Sequence, residues 1–426
     1  MITVKVPCHR GEAEFRIPEK NYLGTFSAHG EAAVADPDAE VRRALAEPIG
    51  SERLSVLAAR AKTCVIICSD HTRPVPSRHI IPAMLEELRA GNPELDITLL
   101  IATGCHRGTT KEELRGKFGD AILAAEKIVV HDCDDEAMLV DAGTLPSGAK
   151  LIVNRLAMEC DLLVAEGFIE PHFFAGFSGG RKSVLPGIAS RVTVLANHCA
   201  EFIASDRART GILDGNPIHR DMVYAAHQAK LAFIVNTVID GEKRIVRAFA
   251  GDVDAAHAEG AEFCRKQAHI EVPEADIVIT THGGYPLDMN VYQSVKGMTA
   301  AETVCRSGDV IIMVAGCSDG HGGESFYQAL KAASSPEEIL ERLKSVPRDA
   351  TTPDQWQYQI LARVMKHCKI IMYAPECSPD MLRDMKLEPA ASPGAALERA
   401  FACCGENAKV AVIPDGVSVI PVKRSL

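Results

Sequence analysis

Several features are missing from this 426-residue sequence, and each absence excludes a class of protein. No apolar run approaches the roughly 18 residues that span a bilayer, so a helical membrane protein is excluded. The net charge is −11, from 46 basic and 57 acidic residues, and no Lys/Arg-rich block interrupts it. The electrostatic footprint of a nucleic-acid binder is therefore absent. The opening MITVKVPCHRGEAEF lacks the charged-then-apolar order of a secretory signal. No C-x-x-C occurs among the 14 cysteines, and neither Cys64/Cys68 nor Cys403/Cys404 has a companion at zinc-ligand spacing. The cysteines read as small buried hydrophobes in a reducing compartment, which places the protein in the cytoplasm. H-E-x-x-H, carboxylates paired for hydrolysis, low-complexity segments and short repeats are also lacking.

What is present is alternation. CVIICSD (64–70), DITLLIATG (96–104), KIVVHD (127–132), KLIVN (150–154) and DLLVAEG (161–167) read as strands. SRHIIPAMLEELRAG (77–91) and TTKEELRGKFG (109–119) read as helices, the first with Ser77 as a cap and Gly91 as a stop. A helix is expected through 188–203 after Pro186-Gly187. Asp240-Gly241 between two apolar runs signals a hairpin, and 252–267 looks helical. A second unit starts near Val272-Pro273, with strands at 275–286, 310–316, 369–375, 409–415 and 417–422 and a helix over roughly 288–306. The expectation is α/β: two α/β domains with mainly parallel sheets, 1–270 and 271–426, and an active site in the cleft between them.

Four polar clusters follow apolar runs, where ligands of open α/β sheets bind. Ser69-Asp70-His71-Thr72-Arg73-Pro74 offers a carboxylate and a guanidinium, although Asp and Thr could also simply make a turn. Thr103-Gly104-Cys105-His106-Arg107-Gly108 sets a histidine on a bent loop. The run from Glu170 to Ser183 is the densest: His172, then Phe173, Phe174, Gly176, Phe177, Ser178, Gly179, Gly180, Arg181 and Lys182. Its glycines suit an anion-binding backbone nest. Gly176 to Ser183 nearly fits G-x-x-x-x-G-K-[ST], with Arg181 where the last glycine belongs, which weakens a nucleotide-hydrolase reading. The fourth cluster runs from Gly283-Gly284-Tyr285-Pro286 through Asp288 to Tyr292, Gln293 and Lys296; helical spacing puts Tyr292 and Lys296 on one face. His198 lies on the expected helix beyond Lys182. His79, His219 and His257 read as structural, and the glycine-rich GCSDGHGGESF (316–326) has no assigned role. Arg73, Lys182 and Lys296 suit an anionic substrate and a phosphate-bearing cofactor, and His106 and His172 suit proton transfer near neutral pH.

In order along the chain, S-D-x-T-R-P, G-x-H-R, P-H-x-x-A-G-F-S-G-G-x-K-x-x-x-P-G, the helix histidine and D-x-x-x-Y-Q-x-x-K resemble the nickel-dependent lactate racemase family, and the match runs over essentially the whole sequence. The resemblance implies a 2-hydroxyacid racemase or epimerase, an isomerase. Its cofactor would be the nickel-pincer nucleotide, a pyridinium-3-thioamide-5-thiocarboxylic acid mononucleotide, carried covalently on Lys182. It further implies His198 as the protein ligand to nickel, in a roughly square-planar site suited to Ni(II). Asp70, Gly179 and Gly180 would lie along the cofactor. Arg73, Tyr292, Gln293 and Lys296 would bind the substrate. Trp356, the single tryptophan, would wall the pocket or simply pack in the core. His106 and His172 would be the two acid/bases on opposite sides of the reacting carbon.

The resemblance implies a small 2-hydroxy acid and cofactor-synthesis proteins as partners, neither nucleic acid nor membrane, and leaves a homo-oligomer open. The rival readings are a P-loop-like phosphoryl-transfer enzyme, a zinc hydrolase and a non-catalytic binding paralogue. The first needs a magnesium carboxylate, the second three converging ligands; the third is opposed by competent side chains at every catalytic position.

Overall fold

The computed structural model describes residues 1–424 and divides into two compact units. One holds Gly30–His198 and Ser205–Gln267. The other holds Met1–His29, Cys199–Ala204 and the residues from Ala268 onward.

The first unit is built on a six-stranded sheet. Its order is Ile245–Gly251, Leu231–Ile239, Leu162–Phe168, Thr63–Ser69, Asp96–Ala102, Lys127–Val130. All neighbours are parallel except the first pair, the antiparallel hairpin at Asp240-Gly241. The central strands are continuous apolar runs because both faces are covered; all seven residues of Leu162–Phe168 are buried. Helix Ser77–Gly91 turns Ile80, Ile81, Met84, Leu85 and Leu88 onto this sheet at helical spacing. Gly91 is fixed by close approach: a Cβ there would meet the Ser55 carbonyl at 2.0 Å. Ser77 does not cap the helix, since it is the first helical residue and its hydroxyl donates to the buried Glu166 at 2.7 Å.

The second unit has a six-stranded, all-parallel sheet in the order Glu388–Pro389, Lys369–Tyr373, Val310–Val314, Ile277–Thr281, Val410–Ile413, Tyr22–Thr25. Its last strand comes from the N-terminal end of the chain, so the expected single domain over 1–270 is corrected at residues 1–29. The physical reason is edge pairing. Tyr22–Thr25 completes an otherwise open sheet edge, and the buried Asn21 donates to the carbonyls of Glu406 (2.9 Å) and Ala408 (2.8 Å). The hairpin Ile2–Cys8/Gly11–Ile17 buries Val4, Val6, Phe15 and Ile17 in the core of the same unit.

Two other expectations change. Lys150–Asn154 pairs antiparallel with Leu139–Thr144 outside the main sheet. The helix expected over 188–203 is two pieces, Arg191–Asn197 and Ala200–Ala204, and the chain leaves the first unit at His198.

Removing the Asn21 donors leaves two carbonyls unpaired. Asn21→Ala is expected to lower stability by roughly 1–3 kcal/mol, the usual cost of orphaning a buried hydrogen-bond partner. Urea denaturation measures this, and an unchanged midpoint would contradict the role given to the edge strand.

Candidate active site

In the first unit the chain leaves Thr63–Ser69 to one side toward Asp96–Ala102 and later returns on the other side as Leu162–Phe168. That reversal of strand order opens a crevice at the carboxyl ends of the strands. Three of the sequence clusters follow these three adjacent strands, which brings Asp70, His106 and the 170–183 loop to one sheet edge.

Asp70 is buried and its two oxygens are divided between partners. Oδ1 accepts from the Thr72 backbone (3.1 Å) and hydroxyl (2.7 Å); Oδ2 meets Nδ1 of His106 at 2.7 Å. Burial would raise the Asp70 carboxyl, but the hydrogen bond and charge of His106, the Thr72 hydroxyl and Arg73 outweigh it and hold it below the usual range. An ionised carboxylate only accepts, so Nδ1 of His106 is the donor, and in the neutral ring Nε2 carries the lone pair; the ring is exposed. Arg73 reaches the Thr72 hydroxyl at 3.0 Å. Behind Asp70, Glu166 accepts from the Ser69 backbone and hydroxyl and from Ser77, tying the strand end to the helix. Burial pushes the Glu166 carboxyl up. Glu166 escaped the sequence reading; its one signal is a lone carboxylate inside DLLVAEG.

His172 has the opposite polarity. Its Nδ1 accepts from the backbone of Ala175 (3.2 Å) and Phe174 (3.5 Å), so the neutral ring carries its proton on Nε2. The ring stacks on Phe173 and meets Phe174 edge-on. Phe174 in turn touches His198, ring centroids 5.1 Å apart, and lies under the Lys182 ammonium, 5.9 Å from its centroid. His198 closes helix Arg191–Asn197, and its Nδ1 meets the Val194 carbonyl at 2.9 Å. A carbonyl only accepts, so His198 also holds its lone pair on Nε2. Burial, then the Lys182 charge, pushes this imidazole down to about 3. It is neutral at physiological pH, the state in which histidine binds metals.

The loop owes its shape to Arg181, which is 1% exposed. Its guanidinium donates to the carbonyls of Ala175 (2.9 Å), Ser178 (3.3 Å) and Gly179 (3.1 Å), and meets Nδ1 of His219 (3.0 Å) and Nε2 of His257 (2.8 Å). Burial pushes Arg181 down to about 9. Arg181 is therefore an internal strut. A Cβ on Gly179 would lie 2.5 Å from Asn236 Oδ1, and one on Gly180 2.8 Å from the His257 ring, so packing excludes side chains at both.

The anion nest expected here is corrected. The N–H groups of Ser178, Gly180 and Lys182 already donate to Glu170 O, Asn236 Oδ1 and Gly179 O. The P-loop likeness fails on the same geometry: Gly180–Ser183 is a short 3-10 turn, not the first turn of a long helix.

The fourth cluster lies in the second unit. Helix Val291–Val304 turns Tyr292, Gln293 and Lys296 to its half-buried side. Burial, then the nearby Asp354 carboxylate, raises the Tyr292 phenol, and the neighbouring Trp356 indole acts the other way. Trp356 is half-buried near Tyr292. Loop 316–326 gains a role: the carbonyls of Gly320 and His321 accept from the Val291 and Tyr292 N–H groups, satisfying the helix start. Asp288 accepts from His9 (2.6 Å) and Gly316 (2.8 Å), locking the preceding loop.

His219 and His257 must stay neutral to face Arg181. Burial, then the Arg181 charge, pushes His219 down to about 3 and His257 well below its ordinary value. The unfolded chain binds protons on both below roughly pH 6.5 while the folded chain does not, so their contribution is complete above that pH. It is lost as pH falls from about 6.5 toward 3, with a slope of at most about 1.4 kcal/mol per pH unit per histidine. Urea midpoints between pH 7 and 4.5 measure this, above the range where carboxylates dominate. Flat stability there would contradict a neutral pair.

Family models match both halves of the chain: the lactate racemase N-terminal domain over residues 8–211 and the lactate racemase C-terminal domain over 270–421. A lactate racemase of Thermoanaerobacterium thermosaccharolyticum is 51% identical over 422 residues, 99% of each chain. One of Lactiplantibacillus plantarum is 49% identical over 425 residues, covering 99% of this chain and 100% of its own. The lactate racemase apoprotein structure from T. thermosaccharolyticum superposes with a TM-score of 0.95 at 50% identity, over 99% of this chain and 100% of that one. A Thermotoga maritima protein shares the fold, with a TM-score of 0.65 at 19% identity over 92% of this chain and 100% of its own. With its whole length covered at this identity, the chain belongs to the lactate racemase family.

Proposed function

We propose that this protein interconverts the enantiomers of lactate by reversible oxidation at C2, using a nickel-pincer nucleotide tethered to Lys182 and bound to nickel through His198. The observation that carries the reading is the corner formed by Lys182, Phe174 and His198: an amine able to form the tether, beside a buried imidazole kept neutral with its Nε2 lone pair. This donor set fits the group. When bound, that group supplies the acceptor that takes the C2 hydrogen as hydride and returns it.

The protein's own residues handle the proton and the charge. Asp70 fixes His106 with its Nε2 as acceptor, which suits removal of the hydroxyl proton. His172 offers Nε2–H, which suits return of a proton to the oxygen when the opposite enantiomer forms; the two exchange roles in the reverse direction. Asp70, which the resemblance sets along the cofactor, acts here through His106. Arg73 of the first unit carries a guanidinium suited to a carboxylate. Gln293 and Lys296 of the second unit carry groups of the same use, with Tyr292 on the same helix as they are and Trp356 near Tyr292. Gly179 and Gly180 hold the backbone of the tethering loop in place.

Proteins that build the cofactor are the implied partners. No helix among the described residues is long and apolar enough to cross a membrane. The free thiols suit a reducing cytoplasm.

Protein made alongside the cofactor-synthesis machinery is expected to racemise lactate. His106→Ala and His172→Ala should each lower kcat by about 10²–10⁴-fold, the general acid–base contribution, with circular dichroism unchanged. Full activity in either variant would remove that residue from the mechanism.

A further inference from the structure

We propose that Gln359 and Arg348 are positioning residues for the nickel ligand: they hold the turn that follows His198, and through it the imidazole. The inference rests on His198 being that ligand. His198 ends helix Arg191–Asn197, and the next six residues, Cys199–Ala204, belong to the second unit. On the helix side, the Val194 carbonyl fixes the ring at Nδ1. One hydrogen bond orients the ring, but the place of the whole side chain follows the backbone on both sides of it. The following side is set by the second unit.

Helix Ala200–Ala204 has five residues, too few to hold a helix in water unaided. Its place is set by what it packs on. Phe202 and Ile203 are buried, and the helix lies against helices Pro336–Lys344 and Gln355–His367. Gln359 Nε2 donates to the Ala200 carbonyl at 2.8 Å in buried surroundings. Arg348 donates through Nε (3.1 Å) and Nη2 (2.7 Å) to Glu201, and its guanidinium lies 4.9 Å from the Phe202 ring centroid. Two side chains thus grip three consecutive residues. Ala200 lies two residues past His198, about 7 Å of chain at full extension. A link that short passes a shift of Ala200 to the His198 backbone, and a metal ligand has to be held within about 0.5 Å of its working position.

Helix Gln355–His367 carries a second tie. Gln357 Nε2 donates to the Tyr292 carbonyl, in the first turn of the helix that bears Gln293 and Lys296. Gln357 and Gln359 lie about 200° apart around their helix. One helix therefore holds that turn on one side and the Ala200 turn on the other.

The test measures nickel release. Wild type, Gln359→Leu, Arg348→Gln, Arg348→Lys and Asn21→Ala are made with the cofactor-synthesis machinery. Nickel lost to excess EDTA is followed over time, together with the mass of the Lys182 peptide. Gln359→Leu and Arg348→Gln are expected to retain nickel about 10–100-fold less well than wild type, the usual scale for a residue that orients a metal ligand. The mass addition on Lys182 should be unchanged in both. Arg348→Lys keeps the charge facing Glu201 and should restore part of the retention. Asn21→Ala removes a buried hydrogen bond elsewhere in the second unit; it reports a merely structural loss and should release nickel at the wild-type rate. Arg348→Gln, at a half-exposed position, decides the question if Gln359→Leu does not fold. Wild-type release in both variants would overturn the positioning role, as would equal acceleration in Asn21→Ala. Faster release in one variant alone would remove the other residue from the role. Wild type that racemises lactate with neither nickel nor a Lys182 addition would overturn the reading of His198 itself, and the inference with it.

Discussion

A guanidinium with no carboxylate partner among the described residues, enclosed by three carbonyls and two neutral imidazoles, holds the 175–182 loop of the first unit together. Arg181 draws the carbonyls of Ala175, Ser178 and Gly179 inward, and a planar fork with five donors does this where an ammonium could not. With those carbonyls fixed, the Phe174 and Ala175 N–H groups point at Nδ1 of His172, and Lys182 emerges beside His198. The polarity of one proposed acid/base and the placing of the proposed tether thus both depend on Arg181.

The second constraint is the sheet edge. A parallel sheet with both faces covered leaves its carboxyl ends as the place for polar chemistry, and the strand reversal beside Thr63–Ser69 opens the crevice there. The chain answers with unlike hydrogen-bonding partners for its histidines. A carboxylate fixes His106 with its outer nitrogen as acceptor, backbone N–H groups fix His172 with its outer nitrogen as donor, and a carbonyl fixes His198, the proposed nickel ligand, with its outer nitrogen as acceptor. Three histidines of the same chemistry are suited to the three roles proposed for them by the atom each finds at Nδ1.

Much of this was legible from residue order. Continuous apolar runs such as CVIIC and DLLVAEG mark strands buried on both faces, and the polar clusters after them mark the sheet edge. Asp240-Gly241 makes the hairpin it signals. Long-range partners were not legible. Tyr22–Thr25 is four residues with a glycine inside, and it is a strand only because Val410–Ile413 offers an edge far along the chain. Ser77 looked like a cap because nothing local reveals Glu166. The glycines after Phe177 looked like a nest because Asn236 and His257, which use up their space and N–H groups, lie far away in sequence. The helix carrying His198 looked continuous because no glycine or proline marks the break at that residue.

The central claim is that Lys182 and His198 together hold one nickel-bearing group. Its most direct measurement is intact and peptide mass spectrometry with metal analysis, on protein made with the cofactor-synthesis machinery, for wild type and His198→Ala. The expected result is a mass addition on the Lys182 peptide with stoichiometric nickel in the wild type, and the same addition with nickel depleted in the variant. An unmodified Lys182 and no nickel in a preparation that racemises lactate would contradict it.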